Sequence, residues 1–270
     1  MSQRITVVIA GLILLSLSVA PLYAQAFQLS PVPSGGHYVP PWFEGWYVNP
    51  DSSRTFSFGY YNRNEGDTLA IPLGPDNYVE PAQFDGVQPT SFPPGREAGV
   101  FAITVPADFE GDVVWHLNTM GRQNEVPGRS TSPAYELSYR PMALGSVPPS
   151  VRFERAGAEG RGVSGLVGSE KQVRVGEPLE LTVWAVDESV REREAAIGIA
   201  WYKHQGPGGV TFSDAVEEAD LEGRATATAT FSEPGEYMLR IRVDNFEAAD
   251  STPADQCCWT NAFQPVTVAQ

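Results

Sequence analysis

Apolar and polar residues alternate strictly along several short stretches, and this alternation limits the fold of the chain more than any other feature. Residues 177–188 read "EPLELTVWAVDE", residues 224–231 read "RATATATF", and residues 235–245 read "GEYMLRIRVDN". A period of two is that of a β-strand with one buried face. In the last stretch the period directs Arg240 and Arg242 outward. Two sheets must close over the buried faces, and we therefore predict an all-β protein built from sandwiches.

Composition and charge exclude several classes of partner. Glycine and proline, with 26 and 23 residues, separate the alternating stretches along the whole chain. Acidic residues outnumber basic residues by 33 to 18, which gives a formal net charge of −15 at pH 7. An acidic protein of this kind repels nucleic acid and anionic lipid. We therefore predict no nucleic-acid partner. Beyond residue 26 no apolar stretch is long enough to span a bilayer, so we also predict no stable membrane insertion after signal cleavage.

The first 26 residues have the pattern of a secretory signal peptide. Arg4 precedes an apolar run over residues 5–20, and the small residues Ala24 and Ala26 follow it. Cleavage after "LYA" or "AQA" suits a signal peptidase, whereas an uncleaved membrane anchor needs a longer apolar run of about 20 residues. The pattern predicts export, to the periplasm or to the cell exterior.

The remaining chain is long enough for two domains of ordinary size. We predict an N-terminal β-sandwich over residues 27–147, a linker or irregular edge over residues 148–167, and a C-terminal sandwich over residues 168–270. In the first of these, "FEGWYVNPDSSRTFSFGYYNRN" predicts a hairpin that turns at "NPDSS".

The C-terminal part resembles the immunoglobulin-like sandwiches, in particular their PKD-like variants. The residues that carry the resemblance are Trp201 in "IAWYK" and Tyr237 in "FSEPGEYMLRIRVDN", and the likeness covers residues 165–268. It implies a tyrosine corner at Tyr237 and, for the chain as a whole, two tandem immunoglobulin-like sandwiches. The chain also resembles uncharacterised secreted bacterial proteins that share "GWYxNPD", "FGYYNRN" and "QCCWTN". Such sandwiches serve many roles, so the resemblance implies a fold and export.

The two cysteines of the chain, Cys257 and Cys258, are adjacent in "QCCWTN". A bond between neighbours closes almost no loop, so the pair cannot staple the fold. Four alternatives remain open: a vicinal disulfide that presents Trp259, two free thiols, a copper or zinc site completed by a histidine, and disulfides to other molecules. The strand order places the pair in the F–G loop, at the sandwich end that also carries the B–C loop "DESVREREAA".

Two further groups of residues suggest binding. Trp42 and Trp46 in "HYVPPWFEGWY" would stack on sugars or on a partner if they are exposed, although alternation directs about half of such residues into the core. Asp244, Asp250 and Asp255 supply oxygen ligands of the type that calcium prefers, although their spacing fits no recognised calcium loop.

The chain has no GxSxG, no HExxH and no GxxxxGK[ST] phosphate-binding loop, so none of these catalytic motifs is present. We therefore predict an exported, non-catalytic binding or structural module that needs no cofactor. Its partner would be an envelope, glycan or protein ligand at the loops around Cys257, Cys258 and Trp259. Two alternatives are a redox or soft-metal protein that uses the cysteine pair, and a carbohydrate-active enzyme or its accessory domain.

Overall fold

The computed structural model describes residues 36–137, 145–190, 196–245 and 258–270, which belong to one compact unit. Apart from two short 3-10 turns at Ala82–Phe84 and Pro133–Tyr135, the regular structure of these residues consists of β-strands. The predicted all-β class is confirmed. Among the described residues we find no helical segment with the length and apolarity that a bilayer crossing requires. The predicted signal peptide lies outside the described residues.

We call residues 36–137 the N-terminal half and the described residues from 145 onward the C-terminal half. The strands of the N-terminal half are β1 (Pro41–Val48), β2 (Arg54–Asn62), β3 (Leu69–Ala70), β4 (Asn77–Glu80), β5 (Ser91–Phe92), β6 (Gly95–Val105), β7 (Val113–Leu117) and β8 (Glu125–Gly128). The strands of the C-terminal half are β9 (Ser150–Arg152), β10 (Leu166–Val167), β11 (Lys171–Arg174), β12 (Leu179–Val186), β13 (Gly198–Gln205), β14 (Val210–Phe212), β15 (Val216–Glu218), β16 (Arg224–Phe231), β17 (Gly235–Asp244) and β18 (Trp259–Ala269).

The C-terminal half has the strand order of an immunoglobulin-like sandwich. One sheet runs β14-β16-β12-β9, and the other runs β15-β13-β17-β18 with β10 and β11 added in parallel to β18. With β9, β12, β16 and β14 as strands A, B, E and D, and β13, β17 and β18 as C, F and G, this is the ABED and CFG arrangement. The topology therefore confirms the predicted immunoglobulin-like fold.

The alternating stretches of the sequence supply the core of this sandwich. Leu181 and Val183 of β12, Ala227 of β16, and Leu239 and Ile241 of β17 are all buried in one apolar cluster. Every second residue of each strand faces the opposite sheet, as the period of two predicts.

The predicted tyrosine corner is confirmed. The hydroxyl of Tyr237 donates a hydrogen bond of 2.8 Å to the carbonyl oxygen of Glu233 and accepts one of 3.0 Å from the backbone N–H of Gly208. Trp201 on β13 is buried in the same core, and its indole N–H donates to Glu217 at 2.9 Å. Both residues therefore stabilise the fold.

The N-terminal half contains two three-stranded sheets, β1-β2-β6 and β4-β7-β8, and the short pair β3-β5. β1 and β2 form the predicted hairpin, which Asn49 and Ser53 close through a backbone hydrogen bond of 2.8 Å. Phe58 and Phe101 of the first sheet stack at 5.1 Å, and Trp115 of the second sheet meets Phe101 edge to face at 4.9 Å. The two sheets thus share an aromatic core, and the immunoglobulin-like order applies to the C-terminal half. The division into two tandem domains with the predicted boundaries stays a prediction.

The outward face of the β13-β17-β18 sheet contacts the N-terminal half. Arg240, which the alternation directs toward solvent, has only 2% of its surface exposed and forms an ion pair of 2.7 Å with Glu97 on β6. The side-chain amide of Asn261 donates to the carbonyl oxygen of Gly99 at 2.7 Å. Alternation assigns a residue to a face correctly, but it does not reveal that another part of the chain covers that face. We call these contacts the junction.

Candidate functional site

Cys258 and Trp259 are fully buried at the start of β18. Trp259 pairs with Asp244 at the end of β17, and the carbonyl oxygen of Cys258 accepts a hydrogen bond of 2.9 Å from the backbone N–H of Asn245. The predicted presentation of Trp259 on a loop surface is therefore corrected: its indole lies inside the protein. Cys257 lies outside the described residues.

The junction encloses the indole of Trp259. Gly99 has a left-handed backbone with a φ of +55°, and a Cβ added there would lie 2.6 Å from Nε1 of Trp259, so only a glycine allows this approach. On another side the guanidinium carbon of Arg242 lies 4.6 Å from the centre of the indole. Within the described ranges the indole N–H has no hydrogen-bond partner. Trp259 therefore has the surroundings of a packing residue.

Two loops meet at one end of the C-terminal sandwich. The side-chain amide of Asn245, at the start of the β17–β18 connection, donates hydrogen bonds to Asp187 at 2.8 Å and Ser189 at 2.9 Å, both in the β12–β13 connection. It also donates to the carbonyl oxygen of Val147 at 2.8 Å. These connections are the F–G and B–C loops of the immunoglobulin-like order. Asn245 holds their described parts together.

An open cavity of about 620 Å³ lies at this end of the sandwich. Three aliphatic side chains on its rim are exposed: Val186, Val190, at 88% of its surface, and Leu221, which is fully exposed. We call these residues, with the neighbouring Asp220 and Glu222, the sandwich-end surface. Clustered exposed aliphatic side chains around a concave surface are typical of sites that contact a partner.

Asp220 gives this surface a negative charge, whereas Glu222 forms an ion pair of 3.2 Å with Arg155. Asp220 accepts hydrogen bonds from the backbone N–H groups of Arg224 at 2.9 Å and Glu222 at 2.8 Å. The bond from Arg224 is the larger cause that lowers the pKa of the Asp220 carboxyl. Asp220 is therefore ionised at neutral pH beside Leu221.

Sequence reasoning did not find Val190 and Leu221, because neither belongs to a periodic stretch. Both stand alone among charged residues, in "DESVRER" and "EADLEGR". A single aliphatic residue inside a charged loop has no core position assigned by a strand or helix period. An aliphatic residue that stands alone in a charged loop is the signal that would have indicated an exposed apolar side chain.

The predicted calcium ligands do not form a metal site in the described residues. Asp244 forms an ion pair of 2.6 Å with Arg242, so a cation already balances its carboxylate. Asp250 and Asp255 lie outside the described residues. Within the described ranges no three His, Cys, Asp or Glu side chains converge in a geometry that could hold a metal ion.

Trp42 and Trp46, which the sequence suggests as a stacking pair, have different surroundings. A β-bulge between Phe43 and Gly45 interrupts their strand. Trp46 packs against the aromatic core, and its indole N–H donates to the carbonyl oxygen of Ser132 at 3.2 Å. Trp42 lies beneath a guanidinium of β6 instead, at 4.9 Å. The two indoles do not form a shared platform.

His204 is a buried residue of the junction. Its Nε2 lies 2.9 Å from the carbonyl oxygen of Val87, and its ring meets Phe263 edge to face at 5.3 Å. Burial lowers the pKa of His204 to about 3, with a smaller contribution from Arg240 and against the effect of the Val87 hydrogen bond. The imidazole is therefore neutral at physiological pH and donates from Nε2.

We expect this histidine to make folding sensitive to acid. The folded-state pKa lies below the ordinary value of 6.5, so between pH 6.5 and about 3 the unfolded chain binds a proton that the folded chain does not. Stabilisation by neutral His204 is therefore complete above pH 6.5 and is lost as the pH falls, by at most about 1.4 kcal/mol per pH unit. Urea unfolding at a series of pH values should show this slope in the wild-type protein and a shallower slope in His204→Gln. Parallel pH profiles would contradict the assignment.

No protein-family model matches the sequence, and no curated protein matches it. Among solved structures, the chain is similar to the D0-D1 domain of intimin, with 12% identity over 84% of this chain and 97% of that chain, and a TM-score of 0.27. It is also similar to the adhesin InvE of Yersinia pseudotuberculosis, with 11% identity over 86% of this chain and 59% of that chain, and a TM-score of 0.27. A PapD-like domain of human CEP192 gives 9% identity over 53% of this chain and 97% of that chain, with a TM-score of 0.30. The assignment of the fold rests on the strand topology of the chain itself.

Proposed function

We propose that this chain is an exported, non-catalytic binding or structural module that contacts a protein partner through the sandwich-end surface. The observation that carries the proposal is the group of exposed aliphatic side chains, Val186, Val190 and Leu221, around a cavity of about 620 Å³. The signal-like pattern of the first 26 residues supports export, to the periplasm or to the cell exterior.

The partner that fits this surface combines apolar and basic side chains. An apolar side chain in the cavity would cover Val190 and Leu221, and a lysine or arginine beside it would face the ionised Asp220. Burial of one large aliphatic side chain contributes about 1.5–3 kcal/mol. The exposed aliphatic residues therefore supply the affinity, and the carboxylate of Asp220 supplies the specificity.

A disulfide between Cys257 and Cys258 is a second part of the proposal. Two observations support it: the chain has only these two cysteines, and Cys258 is not a free thiol. Such a bond would fix the backbone where the β17–β18 connection enters β18, next to Asn245. The pair would then act on the shape of the sandwich end without a redox reaction or a bound metal.

We expect aspartate at Val190 and Leu221 to abolish partner binding. Proteins of the producing cell's envelope and culture medium would be captured on the tagged wild-type chain and on Val190→Asp/Leu221→Asp. Loss of two apolar contacts predicts a decrease of at least about tenfold in captured partner. Val167→Asp is the matched control, because Val167 is also exposed, at 62%, but lies on β10 away from this surface. Capture of the same proteins by all three chains, or by none, would contradict the proposal.

A further inference from the structure

Three exposed arginines alternate with three half-buried aromatic rings on the N-terminal half. Each guanidinium lies over the face of at least one ring, at a distance typical of cation–π contacts. We call this arrangement the arginine–aromatic ladder. In spatial order its members are Arg122, Tyr38, Arg63, Tyr61, Arg96 and Trp42.

The distances make the ladder continuous. The guanidinium carbons of Arg122 and Arg63 lie 4.7 Å and 6.0 Å from the centre of the Tyr38 ring. Those of Arg63 and Arg96 lie 5.3 Å and 5.8 Å from the centre of the Tyr61 ring, so these two carbons are at most 11.1 Å apart. The rings hold three cations in a row at a limited spacing.

Strand pairing places Tyr61 and Arg96 of the ladder on the face that points away from the junction. Tyr61 on β2 lies directly opposite Arg96 on β6, and the adjacent pair is Tyr60 and Glu97. Because successive residues of a strand alternate between faces, Glu97 points toward Arg240 while Arg96 points the other way. The hairpin with β1 adds Trp42 beside Arg96.

The three guanidiniums have no acidic partner in the described part of the chain. Neither an ion pair nor a side-chain hydrogen bond connects Arg63, Arg96 or Arg122 to another described residue. Elsewhere in the described residues, arginines do form ion pairs: Arg129, Arg152, Arg155, Arg161, Arg174, Arg240 and Arg242. In a chain with 33 acidic and 18 basic residues, three adjacent arginines without a carboxylate partner among the described residues point to a ligand that supplies one.

A stacked guanidinium offers its edge to a ligand. Its flat face is occupied by the ring, and its N–H donors remain free to form a two-pronged contact with a carboxylate, sulfate or phosphate group. The ring also fixes the side chain, so less conformational entropy is lost when the ligand binds. Three such edges in a row match a ligand that carries several anionic groups along its length.

We propose that the ladder binds a linear anionic polysaccharide. A protein partner would need an apolar centre to its interface, and the ladder presents guanidinium edges instead. Single-stranded nucleic acid would need free aromatic faces for base stacking, whereas each of these rings is covered by a guanidinium. A sugar chain supplies anionic groups and hydroxyls, and it needs neither an apolar interface centre nor free aromatic faces. The ladder lies on the N-terminal half, apart from the sandwich-end surface, so this proposal does not rest on the proposed function.

The test compares binding of the full chain to polygalacturonate, dextran sulfate and neutral dextran, measured by affinity electrophoresis. We expect retardation by an anionic polysaccharide and not by neutral dextran, and weaker binding at high salt. Binding to polygalacturonate alone would identify carboxylate as the recognised group, and binding to dextran sulfate alone would identify sulfate. Binding to neither, or stronger binding to polyglutamate or single-stranded DNA, would overturn the proposal.

Variants with the same net charge distinguish binding by the ladder from attraction by net charge alone. Arg63→Gln/Arg96→Gln/Arg122→Gln should weaken polysaccharide binding by about tenfold or more. The control triple variant, Arg129→Gln/Arg174→Gln/Arg224→Gln, removes the same charge elsewhere and should bind within about twofold of wild type, since exposed ion pairs contribute little. Lysine at the three ladder positions keeps the charge but cannot form the two-pronged contact of a guanidinium, and should give intermediate binding. Equal losses in the ladder and control variants would overturn the proposal, and circular dichroism checks that each variant is folded.

Discussion

Replacement of Glu97 by alanine should lower the free energy of unfolding by about 3–5 kcal/mol, because it leaves the charge of Arg240 buried without a counter-ion. Arg240 has 2% of its surface exposed, and its closest carboxylate is Glu97 at 2.7 Å. A guanidinium cannot lose its proton in this environment to avoid the cost. Urea unfolding at neutral pH, followed by tryptophan fluorescence, measures the change.

The surroundings of the ion pair explain why no neighbouring group can replace Glu97. The guanidinium carbon of Arg240 lies 4.4 Å from the centre of the Tyr202 ring. Burial raises the pKa of Tyr60 and of Tyr202, and the nearby charge of Glu97 adds to the increase, so both phenols stay neutral. One nitrogen of Arg240, Nη1, has no hydrogen-bond partner among the described residues even in the wild-type protein. Loss of Glu97 therefore removes the only anionic contact that the described residues provide to this guanidinium.

The double variant Glu97→Met/Arg240→Met distinguishes the contribution of the ion pair from the cost of one buried, unpaired charge. If the destabilisation comes from an uncompensated charge, removal of both charges should restore most of the lost stability, because apolar residues of similar size often replace a buried ion pair without cost. The double-mutant cycle should then give a coupling energy of at least about 2 kcal/mol. A small effect of Glu97→Ala, or additive single variants, would mean that water reaches Arg240.

The junction couples the unfolding of the two halves. Backbone and side-chain groups are paired across it: the N–H of Thr90 donates to the carbonyl oxygen of His204 at 2.8 Å, and the amide of Gln205 donates to Gly86 and Gln88 at 2.9 Å and 2.7 Å. Separation of the halves would expose Trp259 and would remove Glu97, the counter-ion of Arg240. We therefore expect a single cooperative unfolding transition for the described unit.

The period of two predicted the C-terminal fold well, because that fold depends on a local pattern. Leu181, Ala227 and Ile241 face the core as the alternation indicates, and Tyr237 forms the expected corner. Arg240 was assigned to the outward face correctly but was expected in solvent. A strand period carries no information about which part of the chain covers its second face.

The candidate sites were predictable to a smaller extent, because they depend on contacts between distant parts of the chain. The strand order, together with the resemblance to immunoglobulin-like sandwiches, implied that the B–C and F–G loops would share one end of the sandwich. The arginine–aromatic ladder joins residues such as Tyr38, Arg63 and Arg122, which lie far apart in sequence and on different elements. The register of β1, β2 and β6 brings Trp42, Tyr61 and Arg96 together, whereas Tyr38, Arg63 and Arg122 lie outside the strands.

Trp259 is the residue whose predicted role changes most, and its substitution separates packing from binding. Trp259→Ala should lower the free energy of unfolding by about 3–5 kcal/mol, because it opens a cavity in the junction beside Gly99. Trp259→Phe should cost less, about 1–2 kcal/mol, since it keeps an aromatic ring and the indole N–H donates no hydrogen bond to the described residues.

Urea unfolding and partner capture are measured on the wild-type chain, on Trp259→Ala and on Trp259→Phe. Trp184→Ala is the matched control, because Trp184 is only half-buried on β12, beneath Arg155 at 5.2 Å, and its loss should cost about 1 kcal/mol or less. A packing role predicts that Trp259→Phe binds the partner of the sandwich-end surface as the wild type does. If Trp259→Phe instead keeps its stability and loses the partner, the indole takes part in recognition.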